Sequence, residues 1–457
     1  MNSFFRLLRW EFLRLSRSAA AWIGGLGLLA AGLFAIWTGG QEIARQQREI
    51  DALPVNYAAQ MRQISARYAA GEHAGYVAYY TFFPTHHPAA GLAKLSIGLR
   101  DVAPPTLWVR LLGLEGQLYE SGLGNPAIQA LGNFDLAFVV CALAPLVLLV
   151  LTHDLLTRDR DGGSYSLLAI QSGSLASLCF ARLLASALLV AGLCTLLFGV
   201  ATLWLRLPCD AAALGWLGDT WAYLACWAAA AGLIAALCRT VGASVALALA
   251  SWVVGVVLLP ALLNLAVAAA YPVTEGLELT VRQRQESHAG WDKPRAETLA
   301  RFFTRYPEWA GTPPVTGRFA WKWYYAMHQV GDDSVARESA RYRENLLARQ
   351  RVVARLAWIA PPAYAQILLS RRAGTDLDAH LAYLDRVRAF HEETKRHFYP
   401  LIFAEKNLLP ADYAAFPQFI AAAPATTAGS FLERLPLFVA TLVLLAFTTR
   451  TLRRSTL

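Results

Sequence analysis

Cysteine is scarce in this chain: six cysteines occur among 457 residues. None lies in the two longest polar stretches, residues 39–132 and 271–433, so both must fold without disulfide bonds. No Cys-x-x-Cys pair occurs, which argues against a zinc site built from cysteines. His380 follows Asp376 by four residues, but such histidines are more typical of surface or packing positions, and we predict no metal site.

The sequence also lacks a Gly-x-x-x-x-Gly-Lys-[Ser/Thr] phosphate-binding loop. We therefore expect the chain neither to bind nor to hydrolyse ATP, and we predict no cofactor in it. Charged residues are nearly absent from its long apolar runs, which disfavours an ion-driven transporter because a proton or ion relay needs such residues. No acid, base or nucleophile converges in these runs, so a membrane-embedded enzyme is also disfavoured.

The formal net charge of +9 does not indicate nucleic-acid binding. Much of the positive charge flanks the apolar runs, where basic residues set membrane topology. The polar segments contain no aromatic-rich basic module of the kind that binds RNA. We therefore predict no nucleic-acid partner.

Long apolar runs are what the chain has in abundance. Hydrophobic residues make up 56% of it, against roughly 45–50% in a soluble protein. A helix needs roughly 20 mostly apolar residues to cross a bilayer, where backbone groups must be bonded within each helix. The pattern predicts an all-α integral membrane protein with six transmembrane helices and a mainly helical external domain built from two insertions. The predicted spans are residues 19–38, 133–152, 183–206, 220–238, 243–270 and 434–450.

The basic residues predict the orientation of these spans. Arginines occur in residues 1–18, in residues 153–182, in the turn between the fourth and fifth spans and in the tail, residues 451–457. With six spans all of these stretches lie on one side, and positive charge marks the cytoplasm. Both termini are therefore predicted to be cytoplasmic. Insertion 1 (residues 39–132) and insertion 2 (residues 271–433) are then predicted to be external, since long translocated domains do not count in this rule.

The first 18 residues form an amphipathic pattern. At helical spacing the apolar side chains fall on one arc, and they are Phe4, Phe5, Leu8, Phe12 and Leu15. The arginines fall on another arc, and they are Arg6, Arg9, Arg14 and Arg17. This predicts an interfacial helix that lies on the cytoplasmic surface and transmits force. Trp10 and Leu13 fall on the basic side, so the separation is imperfect, and a plain basic anchor for the first span is the alternative.

Both insertions are predicted to be mainly helical. In insertion 1 a helix is predicted from Gln41 to Ala69, broken near Pro54. In insertion 2 helices are predicted at Glu275–Tyr306, Asp332–Trp358 and Asp376–Tyr399, with proline-rich joints between them. Together the insertions exceed half of the chain, which is enough for a folded domain with its own core.

Residues 153–182 contain the most informative local motif. A charged cluster at 158–161 is followed by two glycines, a short helix over Ser164–Ile170 and a small-residue turn at 171–174. Short helices in cytosolic loops are a means by which membrane subunits dock to a soluble motor. A solvated connection that carries topology charges is the alternative reading.

This segment resembles the cytosolic coupling segment of type-2 ATP-binding-cassette (ABC) transporter permeases. In that family a Glu-Arg-x-x-Gly-Thr motif precedes a Leu-Leu helix and a Pro or Ser turn. Residues 159–164 carry Asp for Glu and Ser for Thr, and the proline of the turn is missing. The resemblance implies that the following residues couple the chain to an ATPase: Arg158, Asp159, Arg160, Asp161, Gly162, Gly163, Ser164, Leu167 and Leu168.

The two insertions narrow the resemblance to a bacterial subfamily with large periplasmic domains after the first and fifth spans. The segments that carry this likeness are His86–Pro88, Gly98–Asp101, Phe134–Phe138, Trp358–Pro362, Ala373–Asp376 and His380. The resemblance implies a multi-pass permease subunit of the bacterial inner membrane. A separate ATPase subunit with ATP and Mg²⁺ would drive export or mechanical work on a periplasmic protein partner.

The resemblance also implies a second permease chain, identical or related, within the lipid bilayer. A different class of function stays open from the residues alone. That alternative is a membrane-anchored scaffold or binding protein, which recruits partners through its external domain without energy coupling.

Overall fold

The computed structural model describes residues 2–118, 134–171, 174–272, 275–315, 317–424 and 426–454. Within these ranges six helices are long and apolar enough to cross a membrane, as the sequence predicts. We number them as spans 1 to 6: Ala19–Arg67, Leu136–Asp161, Leu175–Leu205, Ala211–Leu237, Val241–Ala270 and Phe431–Arg454. The chain is thus mainly helical and compatible with a multi-pass membrane protein.

The remaining elements are short or belong to the insertions. The other α-helices are Asn2–Ser16, Ala74–Tyr80, Leu114–Leu118, Tyr165–Gln171, Glu275–Ala289, Arg295–Arg305, Trp321–Leu356, Pro361–Arg372 and Leu377–Phe403. Short 3-10 turns lie at Gly91–Lys94, Gly98–Asp101, Pro307–Trp309, Ala357–Ile359 and Pro410–Ala415. Two antiparallel strand pairs occur in the described residues: Glu72–His73 with Asn407–Leu408, and Phe83–His86 with Thr106–Val109.

Span 1 continues far beyond the apolar run. Its 49 residues form one helix about 70 Å long, whereas the hydrocarbon core is about 30 Å thick. The predicted helix break near Pro54 is wrong, because Pro54 lies inside this uninterrupted helix. Ile50 and Leu53 are buried beside it, so packing keeps the helix together where the proline removes a single backbone hydrogen bond.

Spans 3, 4 and 6 begin earlier than predicted. Ser174 caps span 3, which begins eight residues before the predicted 183. The Asp210 carboxylate accepts a hydrogen bond from the Ala213 amide at 2.9 Å, so span 4 begins at Ala211 rather than at 220. A 3-10 turn capped by Ser430 leads into span 6 and lengthens it beyond the predicted 434–450. The connection between spans 3 and 4 shrinks to residues 206–210.

Spans 2 and 5 each contain a π-helical turn shortly before a proline. The turns are Val139–Leu143 before Pro145, and Val253–Leu258 before Pro260. A proline has no N–H, so a carbonyl one turn earlier needs another donor, above all where water is absent. The Tyr223 hydroxyl donates to the Cys141 carbonyl at 2.5 Å, and the Trp252 indole donates to the Ala142 carbonyl at 2.8 Å. These bonds tie spans 4 and 5 to span 2.

The helices of insertion 2 differ from the prediction at their ends. The predicted helix Glu275–Tyr306 is divided into Glu275–Ala289 and Arg295–Arg305. Gly290 and Pro294 lie in the gap, and both residue types disfavour continuation of a helix. The next helix begins at Trp321, eleven residues before the predicted start, because its aromatic first turns are buried in the core.

Both insertions share one hydrophobic core. Phe83 and Val109 of insertion 1 are buried with Phe302, Tyr325 and Phe398 of insertion 2. We call this unit the insertion domain. A separate cluster joins the spans, and it also includes Leu368 and Leu369 from the helix Pro361–Arg372. That helix therefore packs against the spans rather than within the insertion domain.

Acidification is expected to destabilise the insertion domain through His391. This side chain is 2% exposed, and its Nε2 atom lies 3.1 Å from the Arg110 carbonyl. Burial and then the charge of Lys395 lower its pKa from the ordinary 6.5 to about 3. Because the unfolded chain binds this proton more readily, stability falls as pH drops below 6.5, by about 2 kcal/mol at pH 5 for this group.

The measurement is urea unfolding of the full chain in detergent, followed by tryptophan fluorescence at pH 7.5 and pH 5. The His391→Gln variant is expected to lose less stability between these two values than the unmodified chain. His288→Gln is the control, since His288 is exposed. Equal losses in the unmodified chain and in His391→Gln would show that His391 does not cause the acid sensitivity.

Candidate functional site

The predicted coupling residues lie where span 2 ends. Span 2 continues through Thr157–Asp161, Gly162 and Gly163 turn the chain, and a separate short helix follows at Tyr165–Gln171. We call this the loop helix. The prediction of a short helix in this segment is confirmed. Residues 172 and 173 of the predicted small-residue turn lie outside the described residues.

Asp159 takes part in a buried ion-pair chain. Its carboxylate pairs with the Arg182 guanidinium at the start of span 3, which also donates to the Leu155 carbonyl. Arg182 pairs in addition with Glu11 of the N-terminal helix at 3.0 Å. The Arg182 and Glu11 side chains are 11% and 9% exposed, so water screens this pair little. The end of span 2, the start of span 3 and the N-terminal helix are therefore held together.

Arg160 and Asp161 contact the turn between spans 4 and 5. The Arg160 guanidinium donates to the Cys238 carbonyl and lies 4.8 Å from the centre of the Tyr165 ring. The Asp161 carboxylate accepts a hydrogen bond from the Val241 amide at 3.2 Å, at the first residue of span 5. A carboxylate at a helix N-terminus also interacts favourably with the helix dipole. Arg160 and Asp161 therefore connect the end of span 2 to the loop helix and to the ends of spans 4 and 5.

The glycines and Ser164 shape the turn between span 2 and the loop helix. Gly163 has a φ of +73°, a backbone conformation that other residues rarely adopt. Gly162 donates its amide to the Arg158 carbonyl at 2.9 Å and ends the helix. Ser164 contacts Asp159 through its hydroxyl and accepts the Leu168 amide at 3.0 Å through its carbonyl. The glycines therefore permit the sharp reversal from which the loop helix begins.

The loop helix exposes apolar side chains. Leu167 is 57% exposed and Ile170 is 80% exposed, whereas Leu168 is half-buried. Arg158, one turn before Gly162, is 76% exposed and lies 3.7 Å from Asp154. An exposed apolar pair rimmed by charge is typical of a docking surface.

The N-terminal helix packs against the spans on one side only. Leu15 is buried and Leu8 packs against the span cluster, but Phe5 is 60% exposed. Arg6 and Arg9 are exposed, as the amphipathic pattern predicts. The remaining arginines of this helix, Arg14 and Arg17, face the end of span 2 across a cavity. Sequence reasoning missed Glu11, because its partner Arg182 is 171 residues away in the chain.

Five of the six segments that carry the subfamily resemblance meet at one junction between the spans and the insertion domain, and they are His86–Pro88, Gly98–Asp101, Phe134–Phe138, Ala373–Asp376 and His380. Trp358–Pro362 lies at the far end of the helix Pro361–Arg372 from Thr375. The Thr375 carbonyl accepts the Leu99 amide at 2.9 Å, and the Thr375 hydroxyl donates to the Ser96 carbonyl at 2.9 Å. The Asp135 carboxylate accepts the Ile97 amide at 2.9 Å. Gly98 has a φ of +55°, and a Cβ there would lie 2.6 Å from the Thr375 hydroxyl. This junction joins both insertions to the start of span 2.

Arg100 and His87 lie in the same junction. The Arg100 guanidinium donates to the Gln46 side chain at 2.8 Å and to the His87 carbonyl at 2.9 Å. The His87 ring stacks on Tyr383 with ring centres 5.2 Å apart. Burial, and then the charge of Arg100, lower the pKa of His87 to about 4, so this imidazole is neutral at neutral pH. Its surroundings are those of a packing histidine.

A second ion-pair cluster was not predicted. Asp219 of span 4 is fully buried and pairs with Arg372 at 2.8 Å and with Arg434 at 2.6 Å. Arg372, also fully buried, contacts Glu433 at 2.6 Å. Gly429 has a φ of +71°, and any side chain there would collide with the Arg372 guanidinium. This Asp219 cluster connects span 4, the start of span 6 and the helix Pro361–Arg372.

A family model described as a domain of unknown function (DUF3526) matches residues 277–422. The matched stretch covers most of insertion 2 and none of the six spans. No curated protein and no solved structure matches the chain. Insertion 2 is therefore similar to that domain, and the similarity assigns it no activity.

Proposed function

We propose that this chain is the membrane-spanning permease subunit of a bacterial ABC transporter in the inner membrane, with both termini in the cytoplasm. ATP and Mg²⁺ bind a separate ATPase subunit, which docks on the loop helix. One observation carries this proposal: the loop helix turns Leu167 and Ile170 outward, while an ion pair and hydrogen bonds hold its base to the ends of several spans.

The contacts around the motif suit the transmission of force. A displacement of the loop helix reaches the turn between spans 4 and 5 through Arg160 and Asp161. It reaches span 3 and the N-terminal helix through Asp159 and Arg182. Buried ion pairs resist separation, since an uncompensated buried charge is costly. A push at the docking surface would therefore move several helices together.

At the other ends of the spans, the Asp219 cluster and the junction at Thr375 connect the moving helices to the insertion domain. In the proposed orientation this domain faces the periplasm. Arg434 links spans 4 and 6, and Arg372 would pass their motion to the helix Pro361–Arg372, whose end leads to Thr375 at the junction. The output is export of a molecule or mechanical work on a periplasmic protein partner.

A second permease chain would cover part of spans 5 and 6. In the most apolar stretch of each of these spans, only 11% of residues are buried. Leu265 of span 5 and Leu442 of span 6 are each 66% exposed. Faces of this kind contact either lipid or another apolar helix. They leave ample surface for a permease partner, identical or related.

The test is purification of the tagged chain from its native membranes with any bound subunits. We expect a nucleotide-binding subunit to co-purify and the complex to hydrolyse ATP. Arg160→Gln removes the bond to the Cys238 carbonyl, and Gly163→Ala strains the turn, so both variants should lower ATP hydrolysis severalfold. Arg48→Gln is the control, because Arg48 is an exposed arginine in the part of span 1 that extends into insertion 1, far from the motif.

A purified complex without a nucleotide-binding subunit would contradict the proposal. So would unchanged ATP hydrolysis and unchanged co-purification in the Arg160 and Gly163 variants. Either result would favour the alternative, a membrane-anchored scaffold or binding protein without energy coupling.

A further inference from the structure

A cavity of about 580 Å³ separates the N-terminal helix from the end of span 2. Its basic walls come from Arg14, Arg17 and Arg158. Asp154 is the one carboxylate among its described lining residues, and it lies 3.7 Å from Arg158. The cavity is therefore electropositive.

One guanidinium atom in this cavity has an unfilled hydrogen-bonding capacity. The Arg14 Nε atom donates to Glu11 at 2.6 Å, but its Nη2 atom is buried and has no described partner. A buried, charged N–H group without an acceptor costs free energy. Arg17 is exposed and forms no ion pair with any described residue. An anion in the cavity would supply an acceptor for the Arg14 Nη2 atom and a counter-charge for Arg17.

The other walls are apolar. Trp10, Leu13 and Val150 line the cavity beside the arginines. Trp10 and Leu13 are the two apolar side chains on the basic side of the N-terminal helix, where they interrupt its amphipathic pattern. A small water-soluble anion would gain nothing from such walls. A ligand with both an anionic and an apolar part would use all of them.

The cavity also lies at the ends of two apolar spans. Residues at the start of span 1 and near the end of span 2 line it, and they are Ser18–Ala20, Val150, Leu151, His153 and Asp154. Beside the cavity both spans carry exposed apolar residues, with Ile23 of span 1 at 74% and Val150 of span 2 at 44% exposure. The two spans touch at Gly24, where a Cβ would lie 3.2 Å from Val147. A Cβ at Gly27, one turn after Ile23, would meet nothing within 4 Å. An acyl chain therefore has room on the apolar surface along the outer edge of this contact.

We infer that this cavity binds the phosphate headgroup and glycerol of an anionic phospholipid, whose acyl chains follow the outer edge of the contact between spans 1 and 2. Arg14 and Arg17 bind the phosphate, and Trp10 lies at headgroup level, where tryptophan is favoured. The inference needs only that the ends of spans 1 and 2 reach the bilayer surface. It does not depend on the proposed ATPase partner.

The test is quenching of Trp10 fluorescence in the delipidated full chain in a neutral detergent. The probe is dibrominated phosphatidylglycerol, compared with dibrominated phosphatidylcholine, and the Trp10→Phe variant isolates the signal of Trp10. We expect quenching by phosphatidylglycerol to saturate at a concentration about tenfold lower. Arg14→Gln and Arg17→Gln should each weaken this binding about fivefold, as expected for a basic residue at an anionic headgroup.

Arg9→Gln is the matched control, because it removes the same charge from the same helix at an exposed position that does not line the cavity. It should change the binding less than twofold. Equal binding of the two lipids would overturn the inference. An effect of Arg9→Gln as large as that of Arg14→Gln would also overturn it, because the attraction would then be diffuse. Displacement of the lipid by millimolar inorganic phosphate would assign the cavity to a soluble phosphate ligand instead.

Discussion

Replacing Asp219 with alanine is expected to destabilise the protein by about 3–5 kcal/mol, the usual cost of removing one partner from a buried ion pair. Asp219 and Arg372 are both fully buried, and Arg434 also pairs with the same carboxylate. Without Asp219 the two guanidinium groups lose their shared counter-charge. Glu433 remains near Arg372 at 2.6 Å, but one carboxylate cannot replace two around a buried arginine pair.

We expect the apparent unfolding temperature in detergent to fall by about 4 °C. Asp210→Ala is the control on the same span, since the exposed Asp210 only caps the helix by bonding the Ala213 amide. Loss of such a cap costs about 1 kcal/mol. If the two variants were equally stable, the Asp219 cluster would not hold the spans to the helix Pro361–Arg372.

The Asp219 cluster was not predicted because the start of span 4 was placed too late in the chain. Span 4 was predicted to begin at 220, so Asp219 was assigned to a connecting loop. The signal for the true start was present: Asp210 precedes three alanines, which is a helix cap followed by good helix formers. With the start at Ala211, Asp219 lies inside the helix, where a carboxylate needs a positively charged or hydrogen-bonding partner. The identity of that partner, Arg372, depends on tertiary packing and could not be read from the sequence.

Other parts of the fold were accessible from the sequence because their causes are local. Apolar runs of about 20 residues identify spans without knowledge of the rest of the chain. The short helix after Gly163 follows from the turn residues and the Leu-Leu pair beside it. The residues that contact the motif could not be predicted in this way. Glu11 and the Cys238 carbonyl are distant in sequence and meet the motif only when the spans pack.

One domain built from both insertions was predicted from their combined length, but which side chains meet in its core was beyond local reasoning. The Thr85 hydroxyl and the Tyr383 hydroxyl lie 2.8 Å apart, although 298 residues separate them in the chain. Four spans intervene between these residues in the sequence. The combined length of the insertions predicted a folded domain, but only the contacts show that Phe83 and Phe398 belong to its core.

Replacing both Leu167 and Ile170 with serine is expected to weaken binding of the proposed ATPase subunit more than tenfold. The two side chains are 57% and 80% exposed, so they form no part of the core and the variant should fold normally. Burying one such side chain at an interface contributes about 1.5–3 kcal/mol, and 1.4 kcal/mol already corresponds to tenfold in affinity. The measurement is the amount of ATPase subunit that co-purifies with the chain, together with the rate of ATP hydrolysis.

Leu203→Ser is the matched control for this double variant. Leu203 is 83% exposed and belongs to span 3, near the end opposite the loop helix. The change removes a leucine of similar exposure without touching the docking surface, so ATPase binding should be retained. Full retention of the ATPase by the Leu167 and Ile170 variant would mean that the outward face of the loop helix is not where the two subunits meet. The exposed Arg158 and the N-terminal helix would then be the next surfaces to test, since both lie beside the same end of span 2.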